Sequence, residues 1–181
     1  MKQINLKSIK VNPFELIGNN WMVISAGDKK AFNMMTASWG HLGALWGHSL
    51  DGNPTAEIFV RPSRYTDKFI DKKDYFVLSF FDHKKYKKDL LYLGSHSGKN
   101  GNKLSKTKLH VVFQNNLPCF KEAKLTLICK KIYKGKLEKA NFIDKKIIDE
   151  FYTSDPKIRS IYNRACWHNV YVGAIVKAYS K

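Results

Sequence analysis

Thirty-two basic residues include only four arginines, and two of these fall in one short run, Phe59-Val60-Arg61-Pro62-Ser63-Arg64-Tyr65-Thr66. A guanidinium presents a planar fork of donors that matches phosphate oxygens, which a lysine point charge does not reproduce. The run lies where a strand is expected to pass into a helix, and donors at a helix N-terminus suit a phosphate. A plain surface helix start, with Ser63 as its cap, accounts for the same spacing equally well. A second segment, Met34-Met35-Thr36-Ala37-Ser38-Trp39-Gly40, has small residues that let a flat ring approach backbone amides. It also reads as an ordinary strand with a small-residue face. The third, Ser95-His96-Ser97-Gly98-Lys99-Asn100-Gly101-Asn102-Lys103, is rich in small donors and holds two lysines that can close over phosphate or hydroxyl groups. Taken alone it equally describes a helix end followed by a surface loop.

Other chemistry is not signalled. Gly94-Ser95-His96-Ser97-Gly98-Lys99 is one residue short of a Walker A loop, and Asn100 stands where Ser or Thr is needed. No G-x-G-x-x-G or G-x-S-x-G run occurs. The six histidines, His41, His48, His83, His96, His110 and His168, show no H-x-x-x-H spacing, so no metal site is expected. Cys119, Cys129 and Cys166 are an odd number without a C-x-x-C pair, which argues for reduced thiols. Cys129 lies in an alternating apolar run and is expected in the core; the settings of the other two stay open. No catalytic acid, base or nucleophile is assigned.

The elements that must position these segments follow from periodicity. Trp21 to Ala26 and Met34 to Trp39 read as strands joined by the turn Gly27-Asp28-Lys29-Lys30, and His41 to Trp46 follows before the turn signal Asp51-Gly52-Asn53-Pro54. Thr55 to Arg61 alternates as a strand, Pro62 ends it, and Tyr65 to Lys72 is a helix. Tyr75 to Phe81 is almost wholly apolar, as expected of a strand buried on both faces. Lys84 to Leu93 is an amphipathic helix with Tyr86, Leu90, Leu91 and Leu93 inward and Gly94 as its stop. Ser95 to Lys108 is loop-like. His110 to Phe113, Leu125 to Tyr133 and His168 to Tyr179 are further strands, and Asp144 to Tyr152 is a short helix. Many strands with few helices predict a mainly β, antiparallel barrel with helical insertions, formed by one domain over residues 1–181.

Composition sets bounds on partners. Hydrophobic residues make up 44% and charged residues 26% of 181 residues, a globular balance. No apolar run approaches the ~20 residues of a membrane span, and Met1 to Gly18 lacks the apolar core of a secretory signal, so a cytoplasmic protein is expected. The formal charge of +17 suggests a basic nucleic-acid-binding barrel, but lysines are scattered from Lys2 to Lys181 and no RNP-like aromatic motif occurs.

In order and wording, the three segments resemble the flavin reductase-like family with the FMN-binding split-barrel fold, which includes flavoredoxins. The resemblance rests on Asn33 to Gly40, Phe59 to Thr66, Tyr75 to Phe81, Gly94 to Gly98 and Tyr171-Val172-Gly173. It implies that Met35, Thr36, Ala37, Ser38 and Trp39 border the isoalloxazine and ribityl chain of FMN. It assigns Arg61, Pro62, Arg64, Tyr65 and Thr66 to the phosphate end, with Ser95, Ser97, Gly98 and Lys103 completing the site. It further implies a homodimer, with Trp46 and neighbouring aromatics at its interface, NADH or NADPH as donor, and a flavin or small redox protein as acceptor. An FMN-binding electron carrier reduced by a partner protein, or a dimer that has lost its cofactor, fits the same residues. Lys99, Asn100 and Asn102 stand where many relatives carry an arginine and acidic residues, Gly173-Ala174-Ile175 lacks a common acidic residue, and Arg159 to His168 matches nothing in the family pattern.

Overall fold

A computed structural model describes residues 1–47, 53–152 and 166–181. In chain order the strands are β1 Lys2–Ile4, β2 Met22–Gly27, β3 Phe32–Ala37, β4 Gly40–Ala44, β5 Pro54–Val60, β6 Tyr75–Phe80, β7 Val111–Gln114, β8 Leu117–Phe120, β9 Leu125–Lys136 and β10 Asn169–Ser180. The α-helices are α1 Tyr65–Lys72, α2 His83–Ser95 and α3 Lys146–Phe151. The turn expected at Asp51-Gly52 and most of Arg159 to His168 lie outside the described residues.

One antiparallel sheet runs in the order β3-β2-β6-β9-β10-β5-β4, with β1 added to β10. Alternate residues of these strands bury into a single cluster: Ile24 of β2, Met35 of β3, Ile58 of β5, Phe76 and Leu78 of β6, Leu127 of β9 and Tyr171 of β10. A sheet whose inner faces all share one core must curl round it, so the architecture is a barrel. Gly173 sits at a register shift against β9, and a Cβ there would come within 2.7 Å of Phe76 and of the Cys129 side chain. Such bulges tighten the local bend of a strand. The ends of the path, β3 and β4, are consecutive in sequence yet make no pairing with each other among the described residues. That opening splits the barrel, and it leaves one edge of β3 without a strand partner.

The other face of the sheet is covered in two places. Val23 and Met34 pack against Tyr86, Leu90 and Leu93 of α2, and Val77 and Ile128 pack against Cys119 of β8. Strand β6 is therefore buried on both sides, as its apolar run predicts; each fully buried large side chain there contributes roughly 1.5–3 kcal/mol. Cys129 is in the core, Cys119 is also buried, and Cys166 is partly exposed.

Several boundaries differ from the sequence reading. Helix α2 continues through Gly94 to Ser95, because the missing side chain lets the helix lie against Thr36: a Cβ would be 3.3 Å from the Thr36 Cβ. Leu91 is 51% exposed, since the buried stripe takes Tyr86, Leu90 and Leu93 and leaves the intervening position outward. Strand β4 stops at Ala44, ahead of Trp46, which adopts φ +54° and stays 59% exposed. Strand β8 and its hairpin with β7 were not expected; Asn115 and Asn116, both at positive φ, form the turn, the geometry that Asn tolerates and tight hairpins require. Among the described residues no helix is long and apolar enough to cross a membrane.

Candidate functional site

The three polar segments converge where the barrel splits. Strand β3 supplies an edge whose outward amides and carbonyls meet no neighbouring strand, and the small side chains of Thr36, Ala37 and Ser38 leave that edge open. Three adjoining cavities line up along it. The first, about 560 Å³, is bounded by Thr36, Ala37 and Ser38 on one side and Trp21, Leu90, Leu91 and Gly94 on the other. The second, about 260 Å³, lies between Met35–Trp39 and Phe59, Phe151 and His168. The third, about 90 Å³, is polar and is enclosed by Asn33, Thr66, Ser97, Gly98 and Lys103, with Ser63, Tyr65, Ser95 and His96. Arg64 lines all three.

Local folding explains how each donor reaches this place. Arg64 is the N-cap residue of α1 in extended conformation, and its Nη1 donates to the Gly94 carbonyl at 2.9 Å, tying the start of α1 to the end of α2. Beyond it, the amides of Tyr65 and Thr66 have no protein acceptor among the described residues, the usual state of donors in a first helical turn. Lys103 is drawn in from the loop: its Nζ donates to the carbonyls of Leu93 at 2.9 Å and His96 at 3.1 Å. Burial, and then the nearby Arg64 charge, push the Lys103 ammonium down to about 8. Arg64 is itself shifted down by burial and by Arg61. Two cations are thus held together, and among the described residues no acidic one lines the 90 Å³ cavity. Gly98 is required here, because a Cβ would lie 2.2 Å from Oδ1 of Asn33, whose Nδ2 donates to Thr66 Oγ1 at 2.9 Å.

Placement of the remaining expected residues is uneven. Thr36 uses its hydroxyl on the Leu90 carbonyl at 2.6 Å, so it fixes α2 as well as lining the edge. Ser95 donates its hydroxyl to the Leu91 carbonyl at 2.8 Å, and the Ser97 hydroxyl accepts from the Lys99 amide at 3.3 Å. Pro62 is exposed and lines none of the three cavities. Arg61 is only 8% exposed, and its guanidinium donates to the carbonyls of Cys166 at 2.8 Å and Phe151 at 2.9 Å while lying 5.2 Å from the Tyr152 ring centre. It therefore holds the chain around α3 and the start of β10 against the site.

Trp21, Asn33, Phe59, Leu90, Leu91 and Phe151 line the cavities without a sequence assignment to the site, and His168, at the end of the unmatched Arg159 to His168 stretch, joins them. Asn33 and Phe59 belong to runs that carry the family resemblance, so they were within reach of it; the others meet the site only through the fold. His168 is 6% exposed, accepts or donates at Nδ1 with the Tyr152 hydroxyl at 2.8 Å, and is pushed down to about 3 by burial and by the charges of Arg61 and Arg64. It is a neutral imidazole at physiological pH.

No protein-family model and no curated protein matches the sequence. Solved structures do match it in shape. An FMN-binding domain of a flavin reductases-like enzyme from Shewanella baltica OS155 aligns over 98% of this chain and 75% of its own, with TM-score 0.61 and 17% identity. The flavoredoxin of Methanosarcina acetivorans aligns over 96% and 75%, with TM-score 0.60 and 22% identity. An FMN-binding protein from Thermus thermophilus, with bound 1-cyclohex-2-enone, aligns over 99% and 80%, with TM-score 0.60 and 17% identity. The fold of this chain is the split barrel that those proteins share.

Proposed function

We propose that the protein binds FMN noncovalently along the open edge of β3 and acts as a flavin reductase-like oxidoreductase. The carrying observation is the convergence of Arg64, Lys103 and the free amides of Tyr65 and Thr66 at one end of a cavity whose long wall is a small-residue strand edge. The residues fit the group. The polar 90 Å³ cavity gathers cations and amide donors with no carboxylate among the described residues, as a phosphate requires, while the adjoining 560 Å³ equals the room of roughly twenty water-sized atoms at ~30 Å³ each, on the scale of a three-ring flavin. The shapes shared with FMN-binding proteins support the same assignment.

Bound FMN would supply the hydride and electron chemistry. The chain's own part is binding and orientation. Arg64 and Lys103 would neutralise the phosphate; outward amides of β3 near Thr36 to Ser38 would donate to the polar edge of the ring; Trp21, Leu90 and Leu91 would shield its apolar end from water. NADH or NADPH would be the donor, and a flavin or small redox protein the acceptor. The exposed Leu45 and Trp46 just past β4, with Tyr133 across from them at 6.3 Å between rings, would contribute to a homodimer contact.

The first experiment is the visible spectrum of the purified protein after adding FMN and removing the excess. A retained flavin band supports the assignment, and NADH oxidation in its presence supports a pyridine-nucleotide donor. A flavin-free protein with no saturable FMN affinity overturns it.

A further inference from the structure

Of the asparagines in the sequence, Asn100 alone is followed by glycine. The side-chain amide carbon of an asparagine lies within reach of the next backbone nitrogen, and the two can close a five-membered ring. A folded chain permits this where that nitrogen is uncovered, its N–H is not tied up and the side chain is free to turn. All of this holds at Asn100–Gly101. Both residues are exposed, where the 3-10 turn Gly98–Asn100 ends. The Asn100 amide donates to the Ser97 carbonyl at 3.2 Å, whereas the Asn100 side chain and the Gly101 N–H have no hydrogen-bond partner among the described residues. Gly101 adopts φ +117°, backbone that a residue with a Cβ rarely takes, and nothing lies within 4 Å of where a Cβ would stand. The turn thus demands the residue type that leaves the nitrogen bare. Asn102 is the contrast within the same loop: its Oδ1 accepts from the Leu104 amide at 3.1 Å, and a lysine follows it.

The segment around Asn100 is strung between two fixed points. On one side Gly98 packs so closely on Asn33 that a Cβ would lie 2.2 Å from its Oδ1, and Asn33 in turn donates to Thr66. On the other, Lys103 is 7% exposed and its Nζ is held by the Leu93 and His96 carbonyls. A backbone made longer between these anchors must displace one of them, and both belong to the polar 90 Å³ cavity.

We propose that Asn100–Gly101 is a site of spontaneous deamidation, and that the isoaspartate formed there loosens the anion-binding end of the site. The step is self-contained. The Gly101 nitrogen attacks Cγ of Asn100, its proton and the side-chain amino group depart as ammonia, and a succinimide remains. Water then opens either carbonyl–nitrogen bond of the ring, giving aspartate or, more often, isoaspartate, in which the main chain runs through the side chain and gains one methylene. No electrons are transferred and water is the only reactant. The modification is independent of the flavin reading; its effect on FMN rests on that reading.

The test is ageing of the purified full-length protein at pH 8 and about 37 °C, followed by intact mass, isoaspartyl methyltransferase labelling with peptide mapping, and titration with FMN and with inorganic phosphate. Mass should rise by about one dalton with the label on the peptide that holds Asn100. Asn100→Gln, whose longer side chain must close a less favourable six-membered ring, should gain mass at least about tenfold more slowly. The deamidated fraction, separated by ion exchange, should bind both anions about tenfold more weakly than fresh protein, the worth of one displaced charge-assisted contact. Repair by the methyltransferase with S-adenosylmethionine should restore binding. Asn100→Asp, which adds the charge without lengthening the chain, should stay within about twofold of fresh wild type, because an exposed carboxylate is screened. Unchanged mass, or label confined to other positions, overturns the site. A deamidated fraction that binds as fresh protein does, or Asn100→Asp weakened to the same extent, overturns its effect on the anion end. A protein that follows this pattern with phosphate but never binds FMN refutes the flavin assignment and leaves the inference standing.

Discussion

Replacing Lys103 by Met tests whether a buried ammonium both closes α2 and serves the anion-binding end of the site. In the wild type, Lys103 Nζ donates to the Leu93 and His96 carbonyls at the C-terminal end of that helix. Charge-assisted bonds of this kind contribute roughly 1.5–3 kcal/mol each, and Met regains part of that loss by ending the cost of burying a charge, leaving a net of about 2–3 kcal/mol. For a domain of this size that corresponds to a fall in Tm of about 4–12 °C. The pH dependence is more diagnostic. Burial lowers the Lys103 ammonium from 10.5 to about 8, so between these values the unfolded chain holds a proton that the folded protein has released. Stability attributable to Lys103 therefore rises with pH across that window, the reverse of a salt-bridged lysine, and Lys103→Met should lack this rise. For binding the sign is opposite: loss of the proton removes a charge from the phosphate end, so FMN affinity should fall above pH 8 by no more than tenfold per unit in wild type, and stay flat from pH 7 to 9.5 in the variant. Thermal melts and flavin-fluorescence titrations across that range measure both. A Tm within 2 °C of wild type together with parallel pH profiles would refute the reasoning.

Arg64→Met should lower FMN affinity about 10- to 100-fold, the worth of one charge-assisted contact, and by more than Arg61→Met, whose carbonyl partners lie away from the phosphate end; titration of both variants checks the order. Gly98→Ala should displace the Asn33 amide, break its bond to Thr66 and destabilise the protein by about 1–3 kcal/mol, with FMN affinity weakened, as denaturant melts and titration would show. Ser79 on β6 has the one buried side-chain oxygen or nitrogen without a partner among the described residues. Ser79→Ala should therefore be neutral or stabilise the fold by up to about 1 kcal/mol in urea denaturation, while a loss above that would reveal a bond the Oγ makes.

Strong local signals made much of the barrel readable. Pro62 ahead of an apolar-polar pattern placed α1 on Tyr65–Lys72, and the run from Tyr75 foretold a strand buried on both faces. Strand β8 escaped because Leu117–Phe120 is four residues long and contains Pro118, a residue that ordinarily demotes a strand. Pro118 is tolerated there because its hairpin partner is β7 alone and its carbonyl accepts from Ser25 Oγ at 2.7 Å. In the site, contiguous runs were legible and the opposing walls were not. Trp21, Phe151 and His168 have no spacing relation to Thr36 in the chain; they meet it only when β2, α3 and β10 are folded around the split. The role of Arg61 was hidden for the same reason, since the Phe151 and Cys166 carbonyls that accept from it lie more than eighty residues away.

The Arg61 clamp has an evolutionary side. Two of its hydrogen-bond acceptors are main-chain oxygens, at residues 151 and 166, and a carbonyl is present whatever side chain the position bears. Substitutions at Phe151 can therefore change the shape and polarity of the 260 Å³ cavity without removing the bonds that hold its wall. Arg61 itself has no such freedom, because lysine cannot span two separated acceptors with a rigid fork. The molecule thus separates a fixed anchor from a variable lining, an arrangement in which ligand preference can drift while the barrel and its β3 edge stay unchanged.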